Sequence, residues 1–94
     1  MRMEFVFNKD KSKEKKMDLK LCYEILDDYF DKRGIRKLTQ GVYSGENFKD
    51  GGKHIFLEAH RYFEKESWFM QIVDSWGFMN SDSDYIFKTF VHGN

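Results

Sequence analysis

The run from Ile35 to Glu46, Ile-Arg-Lys-Leu-Thr-Gln-Gly-Val-Tyr-Ser-Gly-Glu, constrains this chain more than any other stretch. It follows Gly34, which closes an amphipathic run with helical spacing. Leu38, Gln40, Val42 and Ser44 point one way, whereas Arg36, Thr39, Gly41 and Tyr43 fit neither face cleanly. That half-broken alternation fits a strand with a bulge or bend near Gly41. A strand bent in mid-run can pair with two neighbours, one along each half. The fold, and a homodimer with it, are expected to be organised around this run.

The 94 residues fit one small domain, 1–94. Arg2–Asn8 alternates Met3, Phe5 and Phe7 against Arg2, Glu4 and Val6, which predicts a first strand. From Ser12 or Asp18, the candidate N-caps, to Arg33 the spacing is helical. Leu21, Cys22, Ile25, Leu26, Tyr29 and Phe30 form its apolar stripe, and Gly34 is the natural C-cap. Asp27 and Asp28 lie mostly off the stripe and read as a solvated face. Asn47–Gly52 is a polar turn.

Lys53–Glu66 carries both periods. Phe56, Ala59, His60 and Phe63 fit a helix, and Ile55, Leu57 and Ala59 fit a strand. Length and the charges Glu58, Arg61, Glu64, Lys65 and Glu66 favour a helix, which Trp68, Phe69, Ile72 and Val73 continue after a kink. Ser75–Asn80 and Tyr85–His92 read as strands around a turn at Ser81–Asp84. The expected order is β-α-β-α-β-β, an α/β (α+β) two-layer sandwich of the ferredoxin-like kind.

The net charge is zero but unevenly spread: residues 1–53 hold 13 Lys/Arg against 10 Asp/Glu, and residues 54–94 hold 3 against 6. This asymmetry permits a basic face on a neutral protein. Lys9, Lys11, Lys13, Lys15 and Lys16 crowd one short stretch, with Asp10 and Glu14 against them. That stretch fits a solvated loop and first helical turn, or a phosphate-binding site. Cys22 is the single cysteine and falls on the apolar stripe, so it reads as a buried small hydrophobe. No run is long and apolar enough for a membrane span, so no membrane partner and a cytoplasmic location are expected.

Phe5-Val6-Phe7-Asn8, then Gly34, then Thr39-Gln40-Gly41-Val42-Tyr43-Ser44-Gly45-Glu46, then Trp68-Phe69 and Val73-Asp74 together carry a resemblance. This pattern resembles virulence-associated protein D (VapD) and its relative, the small ferredoxin-like subunit of the CRISPR adaptation complex. The resemblance implies a ferredoxin-like homodimer in the cytoplasm, with endoribonuclease activity in a toxin–antitoxin setting. It also implies an acidic residue at the end of the first strand, near the dimer axis, where paired carboxylates hold a divalent metal such as Mg2+ or Mn2+. This chain departs there, with Asn8 at the strand end, and again at Gly41, where relatives often carry Ser.

The candidate catalytic residues are therefore Asp10 and Asn8, with Tyr43 and Ser44 beside the bend. Asp10 is the candidate metal ligand, and Lys9, Lys11, Lys13 and Lys15 the candidate RNA contacts. His54, His60 and His92 are widely separated, with no metal-ligand spacing. Trp68 and Trp76 fit base stacking less well than burial. The expected function is RNA phosphodiester cleavage. The rival is a non-catalytic dimeric adaptor or inhibitor that binds an antitoxin or another protein.

Overall fold

The central strand β1, Arg2–Phe7, buries Met3, Phe5 and Phe7 against the helices, while Arg2, Glu4 and Val6 take the opposite face. Period-two alternation produces this division. The structure, a computed structural model, describes residues 1–79 and the strand backbone of 85–90. The remaining elements are α1 (Lys9–Glu14), α2 (Leu19–Asp31), β2 (Arg36–Thr39), β3 (Val42–Ser44), α3 (Lys53–Glu64), α4 (Ser67–Ile72), β4 (Val73–Met79) and β5 (Tyr85–Phe90). The strands form one antiparallel sheet in the order β2-β3-β1-β4-β5. This is a small α+β fold, compatible with a two-layer α/β sandwich.

The run 35–46 is a hairpin rather than one bent strand. β2 and β3 pair with each other, and β3 pairs on with β1. The chain reverses at Gln40–Gly41, where Gly41 has φ +78°. Its carbonyl accepts a hydrogen bond from the Phe5 amide at 2.8 Å. The expected β-α-β-α-β-β order thus becomes β-α-α-β-β-α-α-β-β. A bulge is present as well, one strand earlier: Lys37 pairs with Tyr43 and Thr39 with Val42, leaving Leu38 as the extra residue.

The first helical run is also divided. Asn8 caps α1 and Asp18 caps α2, its Oδ1 accepting from the Lys20 amide at 3.0 Å. Cys22, Leu26, Tyr29 and Phe30 are buried as expected, but Leu21 and Ile25 are 53% and 43% exposed. On a helical wheel those two lie outside the arc that meets the sheet. Gly34, at φ +76°, ends the helix, and the Ile35 amide donates back to the Phe30 carbonyl at 3.0 Å.

The ambiguous segment Lys53–Glu66 is helical over Lys53–Glu64, and its kink is a break at Lys65–Glu66 before Ser67. Asp50 holds the start of α3 from two residues ahead of Gly52. Its carboxylate accepts from the Gly52 amide (2.9 Å), the His54 amide (3.1 Å) and His54 Nδ1 (2.8 Å). β4 begins at Val73, two residues earlier than expected. The expected turn Ser81–Asp84, and Asn80 and His92, lie outside the described residues.

A Cβ on Gly41 would approach the Phe5 carbonyl oxygen to 2.6 Å, in a conformation that L residues rarely adopt. Gly41→Ala is therefore expected to cost about 2 kcal/mol or more, read by urea unfolding. The bonds from the His54 ring and amide, then from the Gly52 amide, hold the Asp50 carboxyl at about 2, below its usual 3.8. Its contribution is complete above the unfolded value and is lost as pH falls from about 4 towards 2. The difference in melting temperature between wild type and Asp50→Asn should shrink over that window. A difference constant from pH 5 to 2 would contradict it.

Candidate functional site

At the end of β1 the ladder with β4 slips by one residue. Val6 pairs with Ser75 and Phe7 with Val73, so Asp74 is the extra residue of a bulge. A bulged residue is released from the ladder, and its side chain is re-aimed. Asp74 Oδ1 accepts a hydrogen bond from Asn8 Nδ2 at 3.0 Å.

Asn8 is the knot of this corner. Its Oδ1 accepts from the Lys11 amide at 2.7 Å and so caps α1. Its backbone amide donates to the Ile72 carbonyl at 2.7 Å. The strand end, the first helix and the α4–β4 junction are thus fixed by one residue. Buried Ser12 tightens α1 further, its hydroxyl donating to the Lys9 carbonyl at 2.8 Å.

The α1 segment carries its charges outward. Lys9, Lys13, Lys15 and Lys16 are exposed, and Lys11 is half-buried. Asp10 is exposed on the first turn, where a negative charge suits the helix N-terminus. Trp68 is partly buried against Phe7, Phe63 and Phe69.

Tyr23, on α2, closes the other flank. Its ring packs on Phe7 at 4.9 Å, and its Oη accepts from the Phe7 amide at 3.3 Å. The β1–β3 register ends at Glu4–Val42, so the phenol stands where a strand carbonyl would otherwise accept.

The strand positions of Tyr43 and Ser44 lie away from Asn8, although the Tyr43 hydroxyl reaches Asp27, one turn along α2 from Tyr23. They pair with Met3 and Arg2, five and six residues back from Asn8, or about 16–20 Å along the strand. Tyr43 is fully buried, and its Oη donates to Asp27 Oδ1 at 2.6 Å; Lys37 Nζ holds Asp27 Oδ2 at 2.9 Å. Burial first, and the Asp27 contact second, push the phenol far above its usual range, so it keeps its proton. Ser44 is buried, its Oγ accepting from the Glu46 amide at 3.3 Å.

Trp76 is buried and stacks on His60 at 4.3 Å, and burial lowers the imidazole pKa. Burial also raises the Cys22 thiol pKa, which leaves it unreactive in the core. Among the described residues no group of three or more His, Cys, Asp or Glu is placed to hold a metal ion. No helix among them is long and apolar enough to cross a membrane.

Sequence reading gave no site role to two members of this corner: Asp74, quoted only within the Val73-Asp74 motif, and Tyr23. Asp74 left a signal, being the single charged residue between Gln71 and Met79. Tyr23 left none, because its phenol matters only once α2 lies against β1. A scan against family models and searches of curated proteins and of solved structures found nothing similar to this chain.

Asn8→Ala removes the α1 cap and the donor to Asp74 together. The expected loss is about 1–2 kcal/mol in denaturant unfolding. Asn8→Asp keeps the cap and should lose less than this when divalent cation is present.

Proposed function

We propose that this chain is a VapD-like endoribonuclease whose strand-end carboxylate has moved to the neighbouring strand, from position 8 to Asp74. The observation that carries the reading is the β4 bulge, which aims Asp74 at Asn8, the residue that precedes a stretch with five lysines in the chain. The strand order, with β5 as an added edge, is read as ferredoxin-like. The chain is read as a cytoplasmic homodimer with an antitoxin partner.

Each residue then has a chemical task. Lys9, Lys13, Lys15 and Lys16 neutralise backbone phosphates and hold the RNA across α1. Lys11 is carried between them. Asn8 orients Asp74, and its second amide hydrogen, which has no acceptor among the described residues, can meet a phosphate oxygen. Asp74 accepts the proton of the attacking ribose 2′-hydroxyl as that oxygen bonds to phosphorus; the P–O5′ bond breaks, and the leaving oxygen takes a proton from water. Asp10 is the second acid of the corner. Among the described residues no group of three or more His, Cys, Asp or Glu is placed to hold a metal ion, so Mg2+ or Mn2+ would be held by Asp74 with water, or with its copy across a two-fold axis. When bound, such an ion offsets charge on the scissile phosphate.

One observation favours a second reading, a non-catalytic adaptor or inhibitor. Asn8 Oδ1 is committed to the α1 cap, and an amide is a poor ligand for a hard cation. Exposed Leu21, Ile25 and Tyr62 would then serve protein contacts.

An RNA cleavage assay with and without Mg2+ or Mn2+ separates the two. Wild type should cut, and Asp74→Asn should lose about a hundredfold or more, as expected for a lost general base. Asp10→Ala should lose less. Asn8→Asp sets a second carboxylate against Asp74, so it should melt lower in chelator and recover when Mg2+ is added. Inert wild type together with inert Asn8→Asp would overturn the nuclease reading.

A further inference from the structure

The Tyr23 hydroxyl is half committed. Its oxygen accepts the Phe7 amide hydrogen at 3.3 Å, which leaves its own hydrogen to point elsewhere. Among the described residues nothing accepts that hydrogen, although Tyr23 is only partly buried and sits one residue from Asn8 along β1. The ring cannot swing away easily. It is packed on Phe7 and lies against Gly41, within 3.1 Å of where a Cβ there would stand.

A phenol held in place by an accepted bond, with its donor unspent, is pre-organised to meet an acceptor from outside. It closes the flank of β1 opposite Asp74, with Asn8 following Phe7 between them and the α1 lysines beyond. The acceptor that suits a neutral donor beside several ammonium groups is a phosphate oxygen.

We infer that Tyr23 Oη donates a hydrogen bond to a backbone phosphate of the RNA held at this corner. This rests on the nucleic-acid reading above and adds a ligand-binding residue to it. The bond is neutral on the protein side, so it contributes affinity without releasing a counterion. Lysine contacts do release one each. The two kinds of contact therefore separate on a salt titration.

The test is fluorescence anisotropy of a short single-stranded RNA and its DNA counterpart, in chelator, across a range of salt. Tyr23→Phe should bind both roughly tenfold more weakly, with an unchanged slope of log affinity against log salt. Lys13→Glu should weaken binding and flatten the slope. Site-specific 3-fluorotyrosine at position 23 separates ligand contact from support of the strand end. It acidifies the phenol, making it a stronger donor and a weaker acceptor for Phe7, so it should tighten binding.

Wild type that binds neither strand overturns the nucleic-acid reading itself. Wild type that binds, with Tyr23→Phe within twofold of it, overturns the Tyr23 assignment alone. So does a loss confined to RNA, which would point to the ribose hydroxyl, and so does weaker binding by the fluorinated variant.

Discussion

The ring of Phe5 lies midway along the central strand, and the rings of Phe30, Tyr43, Phe63, Phe69 and Trp76 meet it with centroids 5.9–6.1 Å away. Those partners come from α2, β3, α3, α4 and β4, so one side chain holds both layers in register. Truncating a ring in such a setting typically costs about 3–5 kcal/mol. Close-packed rings also resist sliding. The end of β1 therefore has a fixed position relative to α2, α3 and α4, and the corner built on Asn8 inherits that rigidity.

The two ends of β1 have opposite characters. At its start, close backbone approach dominates. A Cβ on Gly52 would come within 2.9 Å of Gly45 Cα, and Tyr43 is sealed under Asp27 and Lys37. At its finish the ladder breaks, a carboxylate is turned out of the sheet, and lysines gather. At the first end Tyr43, Asp27 and Lys37 satisfy one another. At the second, Asp74 and Tyr23 keep bonding capacity in reserve. This contrast moves attention from Tyr43 and Ser44, which sequence placed beside a bend, to residues that sequence placed in ordinary elements.

What could be read from the sequence followed from local chemistry. The alternation of Met3, Phe5 and Phe7, the stop at Gly34, the buried Cys22 and the break near Glu66 each depend on neighbours within a few residues. The hairpin was missed because Gly41 supports a bend and a full reversal equally well. The choice is made by the Phe5 amide, 36 residues away in sequence. Asp74 was given no site role because a bulge is a property of two strands in register, not of one. Leu21 and Ile25 joined the predicted core because periodicity gives the face of a helix but not the width of what it rests on.

The Leu38 bulge lies on β2, one of the two outer strands of the sheet. Arg36 and Lys37 precede it, and all four residues of β2 are exposed. An irregular, cationic margin makes a poor template for a further strand. Growth by end-on addition, the route by which small sheet proteins turn into fibrils, is thereby obstructed along this side. Colloidal safety at β2 thus comes from the same irregularity that broke the alternation in the run 35–46.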